Sequence, residues 1–345
     1  MKTLSAKAYF SIMAPVAVFV MVLASSMGAA AITPGDAFQI IVSAIPFLGS
    51  FMDTHHISDS AGSIILFIRL PRIVLAFLVG YGLSVVGAAM QGMLKNPMAD
   101  PFIIGTSSGA ALGAAVAIVL KLNQTFLGFG AVSGMAFIGA LLSTGIVYQL
   151  ARTGSRVPVT TLLLAGIATG QFFSAILSFV MVMASRDVSS IVYWTMGSFS
   201  ARGWNHVTLV IIPLILGSGL LMVYARDLNL LLIGEETAQN TGVEVEKVKT
   251  VILLVSTLMT AFAVSVSGII GFVGLIIPHM TRIWVGPDHR ILLPACGVLG
   301  GIFLVTADTF SRTVIAPTEL PVGILTALAG APFFVYLLRK ARKMD

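Results

Sequence analysis

Three arginines and one aspartate carry most of the ionic chemistry in the apolar part of this sequence. Arg69 and Arg72 flank Leu70 and Pro71 in the stretch RLPRIVLAF (69–77), and Arg312 follows Asp308 by one helical turn near the end of another apolar run. A guanidinium is planar, permanently charged and rich in donors, so it holds carboxylates and phosphates in a fixed geometry. Two uses compete for these arginines. They can snorkel to headgroup phosphates, with Asp308 pairing with Arg312 at i,i+4 spacing, or they can be presented to an acidic partner. Catalytic chemistry is not encoded alongside them. The sequence has no H-E-x-x-H pair, no Cys/His cluster and no G-x-x-x-x-G-K-[ST] loop, which leaves no zinc centre and no Walker-type nucleotide site. The single cysteine, Cys296, lies in an apolar run, reads as a packed thiol and excludes an intrachain disulfide.

The elements that must position these groups are membrane helices. The chain has 345 residues, of which 57% are hydrophobic and 10% charged, and its mean hydropathy is +1.00. A soluble chain carries about 25% charged residues. Apolar runs long enough to cross ~30 Å of hydrocarbon recur from end to end, and the ~10-residue alternation of a membrane barrel is missing. The reading is an all-α, multi-pass membrane protein forming one transmembrane domain over 1–345. The first 31 residues have the basic start, apolar middle and small-residue end of a cleavable signal, but their apolar part is long enough to span and is read as a retained first helix. The net charge of +6 sits in short loops and in RKARK (339–343), which suits an anionic membrane leaflet rather than nucleic acid.

Hydropathy and helix breakers predict ten spans: 8–31, 64–93, 102–120, 126–150, 158–183, 207–225, 247–270, 272–285, 291–311 and 321–338. The stretch 251–280 is too long for one helix and too short for two. Gly268, Gly271, Gly274 and Pro278 divide it into a full helix, a glycine-rich break and a short helix. Ten spans with both termini cytoplasmic put fourteen Lys and Arg residues inside, including Lys2, Lys7, Arg342 and Lys343. Six fall outside, namely Arg69, Arg72, Lys121, Arg186, Arg202 and Arg312. That distribution obeys the positive-inside rule, and it leaves Arg69, Arg72 and Arg312 on the side where positive charge is scarce.

Small residues at four-residue spacing form ridges for close helix packing. Gly105, Gly109, Gly113 and Ala117 form one on the third span, and Gly166, Gly170, Ser174 and Ser178 form one on the fifth. The fifth span also carries Thr160, Thr161, Thr169 and Gln171, a polar load wasted against lipid. Between spans six and seven, residues 226–249 hold a predicted short amphipathic helix. Glu235 and Glu236 suit its N-terminus and Gly242 its stop. The apolar residues Leu228 and Leu230 to Ile233 beside it point to a docking partner. Buried acids of the kind a proton-driven pump uses are missing from the spans.

Four stretches in order, RLPR (69–72), MQGMLKNPMADPFIIGTSSGA (90–110), GFVGLIIPHMTRIWVGPDHRILLP (271–294) and ELPVGILTALAGAPFFVYLL (319–338), resemble those of the FecCD-type permeases. These belong to prokaryotic ABC importers for iron–siderophores, haem and vitamin B12. The resemblance covers the chain from residue 64 onward; Thr106 stands where these permeases more often have isoleucine. It implies ten helices per subunit, a permease dimer (a homodimer in the first instance) in the cytoplasmic (inner) membrane, two cytoplasmic ATPase subunits that hold ATP and Mg, and an external substrate-binding protein. No cofactor or metal is expected on this chain, and no nucleic acid among its partners. The resemblance assigns Arg69, Arg72 and Arg312 to docking of the binding protein. It assigns 226–249 to coupling, with the ATPase contact on Gly234, Glu235, Glu236, Thr237, Ala238, Gln239, Gly242 and Val243. It makes the fifth span line the path, with Gln171, Ser174 and Ser178 as candidates. Iron–siderophore is the expected cargo, with haem and corrinoid as alternatives. His55 and His56 adjoin in a polar loop that is solvated by default, with a transient metal or haem contact as the lesser reading. An ion-gradient-driven secondary transporter is the competing class.

Overall fold

The structure is a computed structural model that describes residues 4–341 apart from 48, 50, 51, 53–55, 123, 124, 127, 128 and 155. Lys2, His55, Arg342 and Lys343 therefore lie outside the described residues. In chain order the helices are α1 (Ala6–Ser26), α2 (Pro34–Ser43), α3 (Asp59–Ser63), α4 (Leu70–Met93), α5 (Thr106–Val119), α6 (Ala131–Ala151), α7 (Val159–Met183) and α8 (Val188–Thr195). They continue as α9 (Trp204–Val223), α10 (Ala225–Ile233), α11 (Glu235–Asn240), α12 (Val245–Ser267), α13 (Val273–Val285), α14 (His289–Thr313) and α15 (Val322–Ala341). A π-helical turn, Ile64–Arg69, joins α3 to α4, and a 3-10 turn, Pro101–Ile104, precedes α5. The described strands are two-residue pieces, Thr125–Phe126 paired antiparallel with Phe129–Gly130.

Each of the ten predicted segments falls on one helix: α1, α4, α5, α6, α7, α9, α12, α13, α14 and α15. Seven are long and apolar enough to cross a membrane, and α5, α13 and α15 are shorter apolar helices. The first segment ends earlier than predicted, because α1 stops at Ser26 and Met27 is extended. The helices α2, α3, α8 and α10 have no counterpart among the predicted spans. The first two have local start signals: Thr33 caps the Asp36 N–H with Pro34 in the first turn of α2, and Ser58 caps the Ala61 N–H in α3.

Burial sorts the long helices. In their most apolar 18-residue windows α4 is 78% buried and α12 72%, against 17% for α7, 22% for α1 and 28% for α9. Helix α4 is thus the axle, packed against α14, α12, α13 and α9. The predicted glycine ridge on α5 does what close packing requires: a side-chain carbon at Gly109 would strike the Gly139 carbonyl, and one at Gly113 that of Met135, both on α6. The predicted break after α12 is present at 268–272, with Gly268 at φ 70° and Phe272 at φ 69°. Protein covers it. The Ser198 N–H donates to the Ser267 carbonyl at 2.7 Å, and the end of α8 lies against Gly268. That is the condition under which irregular backbone is tolerated at such depth.

Candidate functional site

The arginines sit at one end of the bundle, where α1 ends, α4 begins and α14 ends. They are not free charges. Arg69 is 6% exposed, Arg72 8% and Arg312 9%. Arg72 Nε donates to both carboxylate oxygens of Asp308, at 3.1 and 3.0 Å, and its Nη2 to Asp308 Oδ1 at 2.9 Å. Its Nη1 donates to both oxygens of Glu319 at 2.9 Å. Asp308 therefore belongs chiefly to Arg72 and not to its helical neighbour: Arg312 Nε lies 3.8 Å from Asp308 Oδ2.

Arg69 and Arg312 turn instead to the end of α1. Arg69 Nη1 donates to the carbonyls of Ser25 and Ser26 at 2.8 and 2.9 Å, and its Nη2 to that of Ala30 at 2.8 Å. Arg312 Nη1 donates to the Met27 carbonyl at 2.9 Å, and its Nη2 to that of Ala24. A helix leaves its last carbonyls unpaired and carries partial negative charge there. Two guanidiniums satisfy both needs, which explains why α1 stops at Ser26. A cavity beside them is lined by Ala30, Ile68, Arg69, Arg72, Arg312 and Glu319. The half-exposed Glu319, from the stretch ELPVGILTALAG, completes the site, and no local signal in its sequence marks it as a partner of Arg72.

About 36 Å away along the 24 residues of α4, the segment 226–249 forms two short helices ahead of the first turns of α12 rather than one. The first, α10, places Leu228 and Leu231 in the subunit's own core with Leu230 packed against it, so only part of the five-residue apolar run predicted to receive a partner is free. Leu232 and Ile233 remain exposed. The second, α11, has Glu235 and Glu236 in its first turn, as read from the sequence. It ends where Gly242, at φ 89°, adopts the left-handed conformation that favours glycine. The Gly242 N–H then reaches the Gln239 carbonyl at 2.9 Å and the Val243 N–H that of Ala238 at 3.0 Å, the paired bonds of a Schellman stop. Glu236, Thr237, Gln239 and Asn240 face outward, with Gly242 beside them; Val243 and Gly234 are half-buried. Ala238 is fully buried and offers no surface for a partner, because a six-residue helix has to turn one residue into the core to stay docked. Glu235 points inward too, its Oε2 accepting from Lys249 Nζ at 2.9 Å.

Helix α7 presents an open face. Gln171 and Ser178 are exposed and Ser174 is half-buried, whereas Gly166 and Thr169 pack inside. The ridge is thus split: its first glycine sits against the Ile103 carbonyl and its last serine looks out of the subunit. In the MQGMLKNPMADPF stretch, Asp100 Oδ1 accepts the Phe102 N–H at 2.8 Å and caps the 3-10 turn. Burial pushes the Asp100 carboxyl up to about 6, against the pull of that N–H. His56 Nε2 lies 3.4 Å from Asp36 Oδ1. Among the described residues, no group of three or more His, Cys, Asp or Glu is arranged to hold a metal ion.

Comparison with known proteins places this geometry. The model of the FecCD transport family matches residues 16–340. The cobalamin import system permease protein BtuC of Halobacterium salinarum is 47% identical over 283 residues, which cover 82% of this chain and 75% of that protein. The hemin transport system permease protein HmuU of Yersinia pestis is 42% identical over 290 residues, covering 83% and 84%. A solved inward-facing structure of a metal-chelate type ABC transporter superposes with a TM-score of 0.83 at 30% identity, over 97% of this chain and 100% of the other.

Proposed function

The chain belongs to the FecCD transport family, and we propose that it is the permease subunit of a metal-chelate type ABC importer. In this reading two copies form the path, each crossing the prokaryotic cytoplasmic membrane ten times with both termini inside. Two ATPase subunits bind at the α11 end, and an external binding protein delivers cargo at the arginine end. This chain transports and does not catalyse; ATP and Mg reside on the ATPase. The observation that carries the reading is α11, a six-residue helix that turns Ala238 into the core and shows Glu236, Thr237, Gln239 and Asn240 outward. A partner that closes on ATP pushes this helix and shifts the balance between outward- and inward-open states. The exposed face of α7 sets Gln171 and Ser178 among the apolar Leu164, Ile167, Phe172 and Phe179, and supports a role for this helix at the boundary between two subunits.

The arginine cluster supports docking in a modified form. An acidic residue of the binding protein meets Arg72 where Glu319 already holds it, so docking is an exchange of one carboxylate for another. Electrostatic contacts of this kind set encounter rate and register more than affinity. A secondary transporter is disfavoured, because Asp308, the acid buried within α14, is bound to Arg72 and unavailable for a proton relay.

Iron–siderophore is the first cargo reading. Haem or cobalamin is the second, favoured by the names of the two relatives above. The experiment is purification from native membranes in mild detergent, with Gln239→Cys as a crosslinking site and mass spectrometry of what is captured. A stoichiometric Walker-A ATPase crosslinked at position 239 supports the assignment. Recovery of the chain alone, even after crosslinking, contradicts it.

A further inference from the structure

Lys249 stands in the second turn of α12 and is 7% exposed. Its Nζ donates to Glu235 Oε2 at 2.9 Å and to Glu246 Oε1 at 3.3 Å. Each carboxylate then reaches a different element. Glu235, the first residue of α11, places Oε1 3.9 Å from Lys95 Nζ, just past the end of α4. Glu246 Oε2 accepts the Val157 N–H at 2.9 Å. Val157 is buried and adjoins Pro158, where α7 begins. A continuous polar chain thus runs from α11 through Lys249 and Glu246 to the start of α7. It crosses 89 residues of sequence at the Val157 contact.

Stability alone does not call for a lysine here. Burying an ammonium costs solvation that its ion pairs only repay, and an apolar side chain of similar volume would serve the core equally well. What such a network provides that methionine does not is a fixed register between elements. The short α11 has little else to hold it: it packs on α10 and α12 through one buried residue, Ala238.

We propose that Lys249 is the positioning residue that carries displacement of α11 to the start of α7, so that movement imposed at the ATPase contact reaches the helix facing the path. The proposal rests on the reading of α11 as the ATPase contact, and its test separates the two. The assembled importer is reconstituted in nanodiscs with spin labels at Gln239→Cys on α11 or Thr160→Cys on α7, each paired with Ser60→Cys at the arginine end, in a Cys296→Ala background. Distances are measured with and without trapped ATP, and uptake per ATP is measured in proteoliposomes.

In the parent protein both labels are expected to shift on ATP trapping. With Lys249→Met the α11 shift persists, the α7 shift is lost, and uptake per ATP falls by about 5- to 150-fold, the usual range of an allosteric coupling. Lys249→Arg restores both. Glu235→Gln, at a half-exposed position that tolerates change, reproduces the loss, and the double variant is no worse than either single one. Persistence of the α7 shift and of normal uptake per ATP in Lys249→Met and Glu235→Gln overturns the proposal while leaving the ATPase contact standing. An α11 that does not move in the parent protein removes the ATPase contact and the proposal with it.

Discussion

Replacing Asp308 by alanine is expected to destabilise the protein severely, and by far more than replacing Glu319. Both carboxylates bind Arg72, yet their settings differ. The Asp308 side chain is 1% exposed and that of Glu319 37%, with the Arg72 side chain at 10%. Asp308 accepts three hydrogen bonds from Arg72, and Arg312 lies within 3.8 Å of it. Its removal leaves a buried guanidinium with one half-exposed counter-charge. Breaking a buried pair from one side costs about 3–5 kcal/mol, whereas a partly exposed pair contributes about 0–1 kcal/mol. Denaturant unfolding in detergent micelles measures the difference under matched conditions. Asp308→Asn, which keeps an acceptor, falls between the two. The double replacement Arg72→Met with Asp308→Ala recovers most of the loss, because the unpaired charge goes with it. A cost for Asp308→Ala no larger than that for Glu319→Ala refutes the assignment of Asp308 as the buried counter-ion.

Arg69→Met removes the donors to the Ser25, Ser26 and Ala30 carbonyls. It is expected to cost about 1–3 kcal/mol and to raise protease cleavage at residues 27–33, which limited proteolysis reads directly. Glu319→Ala frees Arg72 Nη1 without disturbing Asp308, so the binding protein is expected to associate faster at low salt; an unchanged or slower rate removes the carboxylate-exchange picture. Reversing all three arginines to glutamate is a poor docking test by comparison, since it also strips the end of α1. A carboxyl raised from 3.8 to about 6, as at Asp100, gives stability that is full below about pH 4 and lost as pH rises through 6. It is worth about 3 kcal/mol across that window. Unfolding midpoints of the parent protein are expected to fall between about pH 4 and 6.5 relative to Asp100→Asn, which keeps the acceptor for Phe102. Thr237→Trp on the exposed face of α11 is expected to abolish uptake while the chain still folds, and normal uptake sinks the coupling role of that face.

The parts of this fold that the sequence discloses are those decided by local composition. Apolar length marks seven helices able to span and three shorter apolar ones, the glycines after Ser267 mark a break between α12 and α13, and Gly242 marks the stop of α11. The sites were less legible because their partners are remote or generic. Every residue has a carbonyl, so nothing in the sequence says that Arg69 and Arg312 serve the end of α1 rather than solvent. Asp308 sits one turn from Arg312, the obvious partner by spacing, but the packing of α4 on α14 hands it to Arg72, 236 residues away. Ala238 looks like one more residue of an exposed coupling helix until the docked face of α11 is known. Lys249 reads as an ordinary inside charge with Glu246 at i−3 on its own helix, because Glu235 and Val157 join the pair only after α7, α11 and α12 have packed.

The central claim is that this chain moves a metal chelate inward only when an ATPase drives it. Proteoliposomes carrying the purified assembly, with ATP inside and a binding protein loaded with ferric siderophore, haem or cobalamin outside, test it most directly. The account expects accumulation of one of these chelates that requires ATP, stops with an ATPase inhibitor and ignores a collapsed proton or sodium gradient. Accumulation by the chain alone, driven by an ion gradient in vesicles that hold no ATPase, would contradict it.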